Sequence, residues 1–358
     1  MKKLLSDYTE EEIIALCAEM NLPKFRANQL FKWVSTGVDF SEMTNIPKEI
    51  RNRFEADFLP KGVFFEKTYK STDGTVKFLF RLRDGNLIEG VLMAYKHGHT
   101  LCVSTQVGCR MGCVFCASGT DGLKRNLSAG EILGQIICAN SYLKETDDLP
   151  RVSNVVLMGS GEPMDNYENV VKFIRLSFQY LNIGQRSISV STCGFPDKIR
   201  QLADDGFSVT LCISLHMTED EKRKKIMPIA KKYPISEIIS AAKYYFSKSG
   251  RRIIFEYAMI QGENISKEDA QRLRRLTSDF PSHINLIPLN KTNNGLLGVN
   301  RRDAAQFCRL LENLGASATV RRSLGSDIEG ACGQLRNKFV GDNAPPYIVI
   351  KSLKNHNM

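Results

Sequence analysis

From residue 128 onward the chain alternates helical and strand periodicity, and this rhythm restricts its fold more than any other feature. Apolar residues at helical spacing predict helices over 128–142, 169–180, 197–203, 236–246, 267–278 and 302–314. Between them, runs rich in Val, Ile, Phe and Tyr predict strands over 154–158, 187–191, 208–214, 252–259, 283–288 and 317–321. Each helix returns the chain to the same end of the sheet, so the strands pair in parallel, in an open doubly wound sheet or a barrel. Ligand sites of such sheets lie at the carboxyl ends of the strands, where this chain places polar residues at 159–162, 191–194, His216 and Asn290.

The first hundred residues read differently. Residues 4–60 predict short helices, with Thr9 and Glu12 in capping-box spacing and an apolar stripe from Phe25 to Val34. Val76, Phe78 and Phe80 then alternate as in a strand, Asp84-Gly85-Asn86 makes a turn, and strands follow over 88–92 and 101–103. The expected organisation is a helical accessory domain over 1–60, a strand-rich linker over 61–97, a core over 98–325 and a tail over 326–358.

The chain carries 49 Lys and Arg against 39 Asp and Glu, a net charge of +10. The excess is localised: residues 1–215 balance at 25 of each sign, and residues 216–358 hold 24 basic against 14 acidic side chains. Its clusters are Lys222 to Lys225, Arg251-Arg252, Arg272 with Arg274-Arg275, Arg301-Arg302 and Arg321-Arg322, a pattern suited to a phosphate-bearing partner. No run of about eighteen apolar residues spans a membrane, and Met1 to Met20 lacks a signal-peptide core, so a cytoplasmic protein is expected. Its ten cysteines then call for a reason other than a secreted disulfide framework.

Three of them fall within eight residues, Cys109-Arg-Met-Gly-Cys113-Val-Phe-Cys116, flanked by Gly108 and Gly112. Thiolates this close converge on a metal or cluster. A structural zinc wants a fourth ligand, and no further Cys or His lies within the next twenty residues. Three ligands leave one iron of a four-iron cluster open to a chelating cofactor. Cys17, Cys138, Cys193, Cys212 and Cys308 fall in or near expected helices and strands and read as packed thiols.

The spacing of these cysteines, with Phe115 before the third, resembles the signature of radical S-adenosylmethionine (SAM) enzymes, and Gly159-Ser-Gly-Glu162-Pro163 resembles their aminoacyl-binding motif. The stretches 101–109, 122–127, 158–163, 214–216 and 327–335 narrow the likeness to the RlmN and Cfr family of RNA adenine methyltransferases, across essentially the whole chain. Pro163 is nearer the RlmN branch than the Cfr branch, where an alanine is expected.

The resemblance implies a partial (βα)6 TIM-like barrel that methylates carbon 2 of an adenine in 23S rRNA at the peptidyl-transferase centre, and in tRNA beside the anticodon. It implies a [4Fe-4S] cluster on Cys109, Cys113 and Cys116, with SAM held by Gly161, Glu162, Ser191, Ser214, Leu215, His216 and Asn290. Two SAM molecules are consumed in turn. The first methylates Cys332; the second yields a 5′-deoxyadenosyl radical that activates the methyl for addition to the base. Cys102 then resolves the protein–substrate link through a transient disulfide with Cys332, while Glu89 accepts the ring proton. A flavodoxin- or ferredoxin-type electron donor, no membrane partner and a monomeric state complete the expectation. Methylation of carbon 8, as in the Cfr branch, is the nearest alternative, and a metal-cluster RNA-binding module without catalysis is the alternative from another class.

Overall fold

The computed structural model describes residues 2–96, 98–146, 151–290 and 295–335. The expected tail beyond residue 335 lies outside the described residues. A short strand β1 (Lys3–Leu4) leads into helices α1 (Glu10–Glu19), α2 (Lys24–Val34) and α3 (Lys48–Asp57), and β2 (Phe58–Leu59) returns to pair with β1 in parallel. Helix α1 begins where expected, because the Thr9 hydroxyl accepts from the Glu12 amide at 3.2 Å and the Glu12 carboxylate accepts from the Thr9 amide at 2.7 Å.

Strands β3 (Val63–Lys70), β4 (Val76–Leu82) and β5 (Leu87–Tyr95) form an antiparallel meander, and β5 pairs antiparallel with β6 (Gly98–Cys102). The strands of 61–97 are thus hydrogen-bonded into the core sheet instead of standing apart as a linker. They cover the edge that β6 would otherwise leave open. After β6 comes a small hairpin, β7 (Gln106–Gly108) with β8 (Leu123–Asn126), which sequence periodicity did not signal because its strands are three and four residues long.

The predicted rhythm then follows with ends shifted by a few residues: α4 (Ala129–Thr146), β9 (Val152–Leu157), α5 (Tyr167–Leu181), β10 (Ile188–Thr192), α6 (Pro196–Asp204) and β11 (Thr210–Ser214). It continues through α7 (Asp220–Ile226), α8 (Ile235–Ser249), β12 (Ile253–Met259), α9 (Lys267–Leu276), β13 (Ser282–Pro288), α10 (Arg301–Asn313) and β14 (Ala318–Val320). The sheet order is β14-β13-β12-β11-β10-β9-β6-β5-β4-β3, parallel from β6 to β14. Every crossover steps to the next position on the same side, as in a TIM-like barrel, and among the described residues β14 and β3 remain edges, so the barrel is partial. The helices bury their apolar faces on this sheet in one continuous core that also takes in Ile13, Leu30 and Phe54 of the N-terminal helices. Among the described residues no helix is long and apolar enough to cross a membrane.

Candidate active site

Two cavities open at the carboxyl ends of the parallel strands and share a wall. The larger, about 940 Å³ counted to its mouth, is lined by Cys109, Cys113, Cys116, Gly161, Glu162, Ser191, Ser214, His216 and Asn290. The smaller, about 520 Å³, is lined by Val91, Met93, Cys102 and the segment Gly330–Cys332. Met158, Ile287, Asn290, Arg321 and Cys332 face both.

The cysteine loop hangs from the β7–β8 hairpin. Gly108 turns with φ +77°, where a Cβ would lie 1.9 Å from the Gly122 carbonyl oxygen, and the Cys109 amide donates to that oxygen at 3.1 Å. The loop is held on both flanks: the Val114 amide donates to the Ile226 carbonyl at 2.9 Å, and the Ala117 amide to the Gly333 carbonyl at 2.8 Å. Burial pushes all three thiols up, Cys109 to about 12, and their mutual repulsion as thiolates adds to it for Cys109 and Cys113. A bound metal centre is therefore what makes thiolates of them. Among the described residues no three His, Cys, Asp or Glu side chains meet at one point as ligands of a single ion. A four-iron cluster takes each thiolate on a separate iron, and three thiols bracketing a cavity suit that arrangement.

Glu162 follows β9 and is buried at 4% exposure. Burial raises its carboxyl pKa, opposed by the amides of Cys193 and Met164, which donate to it at 2.8 and 2.9 Å. Gly161, at φ +111°, lets this turn pass the hairpin, since a Cβ would stand 2.7 Å from the Gln106 amide nitrogen. His216 adopts φ +58°, and its Nδ1 accepts from the Ala258 amide at 2.9 Å; burial, with the Arg223 charge, lowers its pKa to about 3. Asn290 Nδ2 donates to the Cys332 carbonyl at 3.0 Å, fastening the last segment to the end of β13.

Three sequence assignments shift. Leu215 is fully buried in the main core and lines neither cavity; its backbone is engaged, the amide donating to the Glu256 carbonyl at 3.1 Å and the carbonyl accepting from Arg223 Nε at 3.1 Å. Glu89 also lines neither cavity: it is fully buried on β5 beside Lys77, two residues before Val91, which pairs with Cys102. Cys193, read as a packed thiol, lines the larger cavity close to Cys113 and Glu162. Cys102 and Cys332 are both free thiols, so no disulfide joins them in this structure. They are electrostatic neighbours, and burial followed by the Cys332 charge pushes Cys102 up to about 12 while Arg321 opposes it.

The basic clusters also divide. Arg223 is fully buried, donating to the carbonyls of Cys193 at 2.6 Å and Ser214 at 3.1 Å, so it clamps strand ends and is not free to grip phosphate. Arg321 stands in the wall between the cavities, where the charges of Cys332, Glu256 and Cys102 favour its ionised form. Arg272 pairs with Asp269 and Glu219, and Arg274 donates to the Leu314 carbonyl. Sequence reading passed over Lys77, Glu256 and the position of Arg321. A signal was present for the first two: Glu256 is the lone charge of an otherwise apolar strand, and Lys77 sits between Val76 and the apolar run Phe78 to Phe80.

Comparison with known proteins covers both halves of this architecture. Residues 4–58 match the ribosomal RNA large subunit methyltransferase N-terminal domain, and residues 103–273 match the radical SAM superfamily. A probable dual-specificity RNA methyltransferase RlmN from Clostridium botulinum (strain Alaska E43 / Type E3) is 52% identical over 345 residues, covering 95% of this chain and 98% of its own. The corresponding protein of Clostridium perfringens (strain 13 / Type A) is 49% identical over 348 residues, 95% of this chain and 98% of its own. A crystal structure of a radical SAM methyltransferase from Sphaerobacter thermophilus superposes with a TM-score of 0.90 at 40% identity, over 94% of this chain and 100% of that one. With about half its residues shared along nearly its whole length and its helical start matched as well as its barrel, the chain belongs to the RlmN family of radical SAM RNA methyltransferases.

Proposed function

We propose that this enzyme methylates carbon 2 of adenine in 23S rRNA at the peptidyl-transferase centre and in tRNA beside the anticodon, with Cys332 as methyl carrier. The observation that carries the reading is the position of Cys332 in the wall between the cysteine-lined cleft and the Cys102 chamber. A carrier must meet the methyl donor on one side and the acceptor base on the other, and this position borders both. Membership of the superfamily implies a [4Fe-4S] cluster and SAM, which when bound supply the methyl group and the radical that activates it.

The remaining chemistry falls to side chains of the chain itself. Cys109, Cys113 and Cys116 would hold the cluster. Gly161, Glu162, Ser191, Ser214, His216 and Asn290 line the space left for SAM, and Leu215 would act only through its backbone. Arg321, in the wall beside Cys332, favours the thiolate of Cys102 when it attacks. Cys102 would resolve the link by forming an S–S bond to Cys332 as the S–C bond breaks, and an external thiol must reduce that disulfide before the next cycle. Glu89 would take the ring proton. A one-electron donor of flavodoxin or ferredoxin type would reduce the cluster. Relatives described as dual-specificity RNA methyltransferases support use of both RNAs.

Nucleoside mass spectrometry of rRNA and tRNA, from cells with and without the gene, tests the reading. Loss of 2-methyladenosine from both RNAs on deletion is the expected result; 8-methyladenosine as the sole product would overturn it in favour of the carbon-8 reaction.

A further inference from the structure

Lys77 is 1% exposed, inside the apolar strand Val76-Lys77-Phe78-Leu79-Phe80. An ammonium survives such burial only when its charge and its donors are met. Its Nζ lies 2.5 Å from Glu89 Oε1 on the neighbouring strand and donates to the backbone carbonyl of Glu329 at 3.2 Å. Those two partners belong to different parts of the machinery. Glu89 lies on the face of β5 that, two and four residues on, presents Val91 and Met93 to the Cys102 chamber. Glu329 lies three residues before Cys332, and with φ +51° it holds a left-handed conformation that a side chain disfavours.

The rest of this segment is seated on the same edge of the sheet. The Asp327 carboxylate accepts from the Ser71 hydroxyl at 2.6 Å and the Thr72 amide at 3.1 Å, and Asp73 accepts from the Gly325 amide at 2.9 Å. The β3–β4 turn therefore grips the segment at 325–327, and Lys77 reaches it at 329 from beneath. Without Lys77, Glu89 would keep a buried negative charge deprived of its nearest cation, and the Glu329 carbonyl would lose a donor.

We propose that Lys77 is a positioning residue that couples the seating of the Cys332 segment to the placement of the Glu89 carboxyl group. One ammonium serves both, so the segment that ends in Cys332 is seated by the same cation that pairs with Glu89 behind the chamber wall. The inference rests on the reading of Glu89 as proton acceptor. Lys77 itself lines neither cavity and acts on the reaction only through Glu89 and the Glu329 carbonyl.

The test uses the reconstituted full-length enzyme with RNA substrate and two readouts: methylation of Cys332, by mass spectrometry of the protein, and methylated RNA released against RNA still linked to protein. Lys77→Met should slow Cys332 methylation only about threefold, because Ser71, Thr72 and Asp73 still hold the segment, yet reduce RNA release about 100-fold and let the RNA–protein link accumulate. Lys77→Arg, which keeps the charge, should recover most of the loss. If Lys77→Met lowers both half-reactions in equal proportion, or releases RNA normally, the proposal is overturned.

Should Lys77→Met fail to fold, the doubly apolar variant Lys77→Met/Glu89→Leu removes both buried charges, and hydrogen exchange supplies the readout. The amides of Gly325, Ile328 and Gly330 should then exchange about tenfold faster than in the wild type; unchanged exchange would overturn the seating role. Glu89→Gln separates this proposal from the reading beneath it. A fully active Glu89→Gln sinks the proton-acceptor role, whereas an inactive Glu89→Gln beside a normal Lys77→Met sinks only the role of Lys77.

Discussion

Burial and the neighbouring Arg223 keep the His216 imidazole neutral down to a pH near 3, and the Ala258 amide takes up the lone pair of its Nδ1. In the unfolded chain the same ring titrates near 6.5. Between these values the unfolded state binds a proton that the folded state refuses, so stability from this residue is complete above pH 6.5 and drains away as the pH falls toward 3. Unfolding free energy measured by urea titration should fall by about 2 kcal/mol between pH 7 and pH 5 on this account, and His216→Gln should flatten that part of the profile. The sulfurs divide by role in the same way. Cys332→Ala should abolish methyl transfer while iron and sulfide content stay at wild-type level, whereas Cys113→Ala should lose both; a fully active Cys332→Ala enzyme would contradict the carrier role. Sequence spacing revealed Cys109, Cys113 and Cys116 because they are close neighbours in the chain. Lys77 stayed hidden as a site residue because its second partner lies 252 residues away, and the side chain of Leu215 turns into the core because the motif around it marks a position in the chain and not the direction of a side chain.

Elements were legible where apolar periodicity ran long. Helix α5 and strand β12 stand within two residues of their expected ends, since each buries a continuous stripe. The β7–β8 hairpin escaped notice because it is stabilised by what its turn carries and by contacts with residues 160–166. It hangs on Gly108. Substitution Gly108→Ala drives a methyl into the Gly122 carbonyl at a φ that alanine disfavours, which should open the hairpin and scatter the three thiols. The expected outcome is a protein whose melting temperature falls by only a few degrees, with iron content after anaerobic reconstitution reduced at least about tenfold. Wild-type iron loading in that variant would show that the turn tolerates a side chain.

At the scale of the molecule, topology sorts the basic surplus that composition could only count. The C-terminal ends of the parallel strands face the site, so exposed Lys225 on α7, Arg301 and Arg302 opening α10, and Arg322 after β14 stand on the side where RNA must arrive. Arg252 before β12 and Arg275 at the end of α9 stand at the opposite end. Replacing each of the first four by Gln should weaken RNA binding and flatten the dependence of log K on log salt by about 0.7 per lost contact, while Arg252→Gln and Arg275→Gln change neither. Equal effects from both sets would show that the surplus acts only as a diffuse field. The balance of charge across residues 1–215 remains a true reading of the sequence. What it could not convey is that Arg223 had already been withdrawn into the interior and that Arg321 stands half-buried in the wall between the cavities.

The meander β3–β4–β5 bears on how this barrel could be reused. It supplies Ser71, Thr72, Asp73 and Lys77 as the seat for the segment that ends in Cys332, and none of these residues belongs to the parallel strands. A minimal barrel grafted into another enzyme would therefore bring along its cysteine loop and lose the alignment of its carrier. The exchangeable unit is the barrel together with the meander at its edge, and a chimera whose junction falls between β5 and β6 cuts it in two.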